Sequence, residues 1–215
     1  MNSRPAKKGG YQSRLRTEQA AATRELVLDA ATRLFVERGY AATSIDAIAE
    51  AAGVGRSTVF AAAGGKSWLI KTAYDRAIVG DDEPVPLLQR PAARTLFEMN
   101  DPVAIVAGYA RIIADAAERV SAICEAIHAA AGCDPEVSGL WREIGQQRLN
   151  GAKAVAALID ENGGLGGGMA VEEARDIIWI FNDPSLHHAL VRLRGWSQSR
   201  YQRWLTDNLQ HQLVF

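Results

Sequence analysis

The sequence predicts an all-α protein: a three-helix helix-turn-helix domain at the N-terminus and a larger helical domain after it. Three observations carry this. Apolar residues recur at i, i+3, i+4 and i+7 in one segment after another, no stretch sustains the two-residue alternation of a strand, and glycines and Asp-Pro steps fall where helices must stop and start. With 48% apolar residues in 215, the chain can bury a sizeable core, which excludes wholesale disorder.

Residues 1–16 hold Arg4, Lys7, Lys8, Arg14 and Arg16, no acid, the pair Gly9-Gly10 and no periodic apolar face, so a flexible basic arm is expected. From Thr17 the pattern turns helical, with Val27, Ala30, Ala31, Leu34 and Phe35 in one stripe and Gly39 as its left-handed stop. Thr43-Ser44-Ile45-Asp46 fits a capping box with Thr43 at the N-cap. The helix it opens buries Ile45, Ile48, Ala49 and Ala52 and ends at Gly53. A short helix over about 56–62 must end before Gly64-Gly65, and a fourth over 67–79 stops at Gly80. Pro84, Pro86 and Pro91 with three consecutive acids then mark a linker and domain boundary over 81–91. Beyond it, Asp101-Pro102, Asp134-Pro135 and Asp183-Pro184 each read as an N-cap followed by proline at N1. Five glycines in 163–168 break the chain again, and helices over 171–182 and 197–213 complete the set. The domains expected are the arm 1–16, a helix-turn-helix domain 17–65, a connecting helix 66–80, the linker 81–91 and a C-terminal domain 92–215.

Charge divides along the same line. Residues 1–70 carry ten Lys/Arg against six Asp/Glu, or +4; the rest carry fourteen against nineteen, or −5. A basic front end on an acidic body is the split expected when one end alone meets a polyanion.

The segment Thr43–Lys66 is the most informative. Small Ala49 lets two helices approach, Gly53 tolerates the positive φ of a tight turn, and Val59 packs back into the angle between them. That leaves Arg56, Ser57, Thr58, Phe60 and Ala61 near or on the outer face of the short helix, where a helix-turn-helix presents residues to the major groove. Arg56 can reach guanine O6 and N7 together, while Thr58 and Phe60 can contact bases or sugar-phosphate. Thr43, at a helix N-terminus, is a candidate phosphate contact.

The run Thr23-Arg24-Glu25-Leu26, Ala30-Ala31, Leu34-Phe35, Gly39-Tyr40, Thr43-Ser44-Ile45, Ile48-Ala49, Ala52-Gly53-Val54, Ser57-Thr58-Val59-Phe60, Lys66 and Leu69 resembles, in register, the TetR family of transcriptional regulators over residues 20–80. The stretch Arg194-Gly195-Trp196-Ser197 with Tyr201 and Trp204-Leu205 resembles an actinobacterial subgroup of it. Three departures stand out: Gly55 replaces a Ser or Thr N-cap, Ala61-Ala62-Ala63 replaces an aromatic-basic-Phe end, and Gly64 follows. The resemblance implies a homodimeric repressor of a palindromic double-stranded DNA operator, released by a small-molecule effector, with Lys66 as a phosphate contact. Physics agrees on the dimer, because one short helix makes too few base contacts, whereas two held ~34–36 Å apart read successive half-sites.

In the C-terminal domain, Ile177, Ile178 and Phe181 form one stripe and Tyr201, Trp204, Leu205 and Leu209 another, while Trp179 and Ile180 lie on other faces. A helix apolar around most of its circumference is covered on two sides, and the resemblance makes one of those sides the other subunit, which marks the seven stripe residues for dimerisation. The largely apolar 103–128 stretch is interrupted by polar groups, as a ligand cavity requires; Tyr109, Arg111, Glu125 and His128, with Trp141, are the effector-binding candidates.

Cys124 and Cys133, if on one helix, would lie about 13 Å apart, too far to bridge. Cys124 and His128 lack further ligands at metal-binding spacing, so no metal and no cofactor are expected. No 18-residue charge-free apolar run and no signal-peptide core occur, so a cytoplasmic protein without membrane contact is expected. An enzyme is not expected: a Gly-rich phosphate loop, a nucleophile elbow and a metal cluster are all missing. The alternative is a helical scaffold whose degenerate helix-turn-helix binds no specific DNA.

Overall fold

The structure, a computed structural model, describes residues 8–80 and 91–214, and its regular elements there are all helical. They are α1 (Lys8–Arg38), α2 (Ile45–Ala52), α3 (Arg56–Ala63), α4 (Lys66–Val79), α5 (Pro91–Phe97), α6 (Pro102–Ala131), α7 (Pro135–Glu161), α8 (Val171–Phe181), α9 (Pro184–His187) and α10 (Gln198–Leu213). A 3₁₀ turn spans Gly166–Gly168, and a π-helical stretch over His188–Leu193 continues α9. The all-α expectation holds, and the stops fall where glycine adopts positive φ, notably Gly53 at φ 68°. All three Asp-Pro steps open helices, with Asp101, Asp134 and Asp183 accepting hydrogen bonds from the backbone N–H groups of the first turns.

Two compact units divide between Ala73 and Tyr74, inside α4; of the expected linker, residues 81–90 lie outside the described residues. Leu69, Ile70 and Ala73 of α4 are buried on one side of the division and Tyr74 on the other. In the first unit α1 packs on α2 and α3 around Val27, Leu34, Phe35, Ile48 and Val59, all at most 1% exposed. The Arg24 guanidinium lies 4.6 Å from the Trp68 ring and ties α1 to α4.

Two local expectations change here. Residues 8–16, assigned to the flexible arm, form the first turns of α1; residues 1–7 lie outside the described residues. Lack of an apolar face does not make a segment irregular, and Arg14 and Arg16 are solvent-exposed on helix. The cap of α2 is Ser44, whose Oγ accepts from the Ala47 N–H at 3.1 Å. Thr43 is instead 1% exposed, its hydroxyl 2.8 Å from the Gly39 carbonyl and 3.1 Å from that of Leu34, so it closes the end of α1.

In the second unit α6 packs against α5, α7, α9 and α10, and α8 lies on α7 and α10. Ile105, Val106, Ala110, Val155, Ile159 and Ile178 sit at the centre of this core, each at most 1% exposed. Gly108 allows a close approach, since a Cβ there would meet Leu96 of α5 at 3.0 Å. Arg119 of α6 donates to the Ala77 and Ile78 carbonyls at 3.1 and 3.2 Å, capping the C-terminal end of α4.

Candidate nucleic-acid interface and ligand cleft

α3 is eight residues long because Gly55 precedes it and Gly64 ends it, the latter at φ 64°. Gly55 supplies no side-chain cap, as its residue type requires. Val59 and Ala63 point into the core at 1% and 4% exposure, leaving Arg56, Ser57, Phe60 and Ala61 outward and Thr58 half-buried. Four of the five base-reading candidates therefore share one accessible face, while Thr58 sits at its edge. Phe60 is 45% exposed, a large apolar ring left in water on a helix short enough to enter a groove.

Arg56 is oriented rather than loose. Its guanidinium pairs with Asp46 of α2 at 2.6 Å and lies 5.7 Å from the Phe60 ring centroid. The sequence pattern puts Asp46 in a capping box; its carboxylate instead accepts from Arg56 ten residues away, a contact that only the angle between α2 and α3 creates. Lys66 is half-buried with its ammonium 4.0 Å over the Tyr40 ring, which itself packs 5.5 Å from Phe35. Thr43, a phosphate candidate, is withdrawn: its hydroxyl and its N–H, which donates to Tyr40, are both used inside the fold.

A cleft of about 180 Å³ opens in the second unit between α6, α7 and the turn into α9. Three effector candidates line it, Glu125 and His128 from α6 and Trp141 from α7, with His128 and Trp141 stacked at 4.8 Å and 25°. Tyr109 and Arg111 do not. Tyr109 is 4% exposed, and its hydroxyl accepts from the Asn182 amide at 3.0 Å, which makes it a core residue; Arg111 is exposed on α6. Neither belongs to this cleft, because a polar interruption in an apolar helix points to any of several environments, and position along the helix decides which.

Residues that sequence reading missed complete this region. Arg148 of α7, its side chain 10% exposed, pairs with Asp183 at 2.9 Å and donates to the Asn182 and Trp179 carbonyls, closing the end of α8. Ser121, Cys124 and Asp183 line the cleft with the three candidates. Burial pushes the Cys124 thiol up to about 12, with Arg148 opposing, so the wall it forms is uncharged. Behind Ser121 stands His187, 1% exposed, with Nδ1 3.0 Å from Ser121 Oγ and Nε2 2.9 Å from Gln198 Oε1. Burial holds the His187 pKa below its ordinary value despite the Gln198 bond. The Asp-Pro signal did locate Asp183, but as a cap only. Among the described residues no cluster of three or more His, Cys, Asp or Glu could hold a metal, and no helix is long and apolar enough to cross a membrane.

The dimerisation stripe is corrected in part. Ile178, Tyr201, Leu205 and Leu209 are at most 1% exposed and belong to the chain's own core, and Ile177, Phe181 and Trp204 pack half-buried against it. The large apolar side chains left exposed on α8 are Trp179 and Ile180, at 38% and 57% exposure, beside Leu149 of α7 and the exposed Asp176.

Residues 27–73 match the family model described as "Bacterial regulatory proteins, tetR family". The N-terminal unit is a tetR-family domain. Its helix-turn-helix is that of a DNA-binding transcriptional regulator. No curated protein matches the chain in sequence. Solved structures of tetR-type regulators share the fold across most of this chain. NalD, described as the secondary repressor of the MexAB-OprM multidrug efflux pump in Pseudomonas aeruginosa, is 20% identical with a TM-score of 0.67, over 92% of this chain and 98% of its own. A putative transcriptional regulator from Saccharomonospora viridis in complex with choline is 16% identical with a TM-score of 0.69, over 91% and 99%. FadR from Bacillus subtilis in complex with stearoyl-CoA is 16% identical with a TM-score of 0.66, over 86% and 96%.

Proposed function

We propose that this tetR-family regulator is a repressor that binds a palindromic duplex as a homodimer and is released when a small molecule enters the cleft of its second unit. The observation that carries the reading is the outward face of α3, where Arg56, Ser57, Phe60 and Ala61 stand together beyond the Gly53 turn. Arg56, already extended by Asp46, reads a base edge; Ser57, Phe60 and Ala61 supply the surrounding contacts. Lys66, braced over Tyr40, and the Ser44-capped N-terminus of α2 meet phosphates, and the exposed Arg14 and Arg16 add charge from the start of α1.

A two-fold assembly places the second copy against Trp179 and Ile180, whose adjacent exposure is what a self-complementary apolar patch requires. Release follows from α6, which carries Glu125 and His128 in the cleft and Arg119 on the last carbonyls of α4. A ligand that shifts α6 draws on the helix that leads into the reading head. Relatives of this fold crystallised with choline and with stearoyl-CoA support a small-molecule effector.

The test is selection of bound sequences from random duplexes by the full chain. A two-fold repeat with binding that falls steeply with salt is the expected result. Failure to enrich any sequence, with salt-independent association, overturns it in favour of the scaffold reading.

A further inference from the structure

We propose that the α6–α7 cleft selects a planar organic cation of single-ring size, an aryl-amidinium or aryl-ammonium. The proposal deepens the effector reading above and rests on it for any regulatory consequence. Size comes first: about 180 Å³ is close to the roughly 150 Å³ cavity that accommodates one benzene ring. Aromatic character comes next, because His128 and Trp141, stacked on each other at 4.8 Å, both line the cleft, and an indole attracts cations more strongly than other side-chain rings.

Charge then decides the class. Asp183 at the rim is neutralised by Arg148 at 2.9 Å, and the Arg148 guanidinium is committed to the α8 carbonyls, so it offers nothing to an anion. Cys124 stands in the wall as a buried neutral thiol. Ser121 is held from behind by His187. Glu125, exposed at the mouth, has no cationic partner among the described residues. The cleft therefore carries one uncompensated negative charge beside an aromatic wall. An anion meets the unpaired Glu125 carboxylate there, and a neutral ring gains the aromatic contact alone. A flat cation gains both the aromatic contact and the Glu125 carboxylate.

Three probes of equal size separate these classes: benzamidine, benzamide and benzoate, titrated calorimetrically into the full chain without DNA. Benzamidine is expected to bind about tenfold more tightly than benzamide, equivalent to about 1.4 kcal/mol, with benzoate weakest. Glu125→Gln, a change at an exposed position that leaves folding intact, should cut that preference to about threefold or less by removing the screened ion pair. Glu125→Lys should reverse the order and favour benzoate. Equal binding of benzamide and benzamidine, preference for benzoate by the unaltered chain, an unchanged preference in Glu125→Gln, or no binding by any probe at millimolar concentration overturns the proposal. Duplex binding with and without benzamidine is read separately. Tight benzamidine binding without any change in duplex affinity leaves the ligand class standing and removes the effector reading.

Discussion

The two units use buried space differently. In the first, the interior around Phe35, Ile48 and Val59 is largely apolar, with Thr43 its buried polar residue among the described ones, and the charged contact between α2 and α3, Asp46 with Arg56, lies in solvent. In the second, polar groups are drawn inside: Arg148 and Asp183 close one helix and open the next, and His187 bridges Ser121 and Gln198. A reading head needs a rigid frame and an accessible polar surface. The polar groups inside the second unit cost desolvation unless every partner is present.

That contrast makes measurable statements. Phe35→Ala should have the largest effect, about 3–5 kcal/mol of stability, because the ring is wholly buried and the apolar frame cannot collapse around the gap. Denaturant unfolding followed by amide exchange should show the loss in α1–α3 first; an unaffected first unit would contradict the packing. Arg148→Ala should cost about 3 kcal/mol in the second unit by stranding Asp183 and two α8 carbonyls, and Arg148→Ala with Asp183→Asn together should cost less than the sum. Additivity in that double-mutant cycle would mean the pair is not coupled.

On the surface of the first unit, Arg56→Ala should cost about 1–3 kcal/mol of duplex affinity and relax preference at one base pair per half-site. Equal loss on all sequences, seen in competition with altered duplexes, would make Arg56 a phosphate contact. Asp46→Ala should change stability by less than about 1 kcal/mol, since both members of that pair are largely solvated.

The smallest effect concerns His187 and has a definite sign. Its folded pKa lies below the ordinary value, so on acidification the unfolded chain takes up the proton first. Stability from this group is level above pH about 6.5, falls as the pH drops below that, and flattens beneath the folded pKa. Thermal melts of His187→Gln between pH 7 and 5 should therefore show a shallower acid slope than the unaltered chain. An identical slope would place the titration elsewhere.

Much of the reading head could be anticipated. Ala49, Gly53 and Val59 place α2, the turn and α3, and the residues left over fall outward by helical arithmetic. Thr43 was misjudged because Thr43 and Ser44 both carry a capping hydroxyl, and only the packing of α1 above them determines which one is buried. In the second unit Glu125, His128 and Trp141 line the cleft, but nothing along α6 separated Tyr109 and Arg111 from Glu125 and His128. The stripe on α8 and α10 shows the same ambiguity: its apolar spacing assigned Ile178, Tyr201, Leu205 and Leu209 to dimerisation, but the residues covering them come from the same chain.

The amino-acid order alone settled where helices begin and end, because left-handed glycines, Asp-Pro caps and a 3.6-residue apolar period act over one or two turns. Which polar groups meet was decided only by the folded arrangement. Arg56 finds Asp46 ten residues back, and His187 finds Ser121 sixty-six residues back. Such pairings depend on crossing angles and packing between whole helices, and no local propensity encodes them.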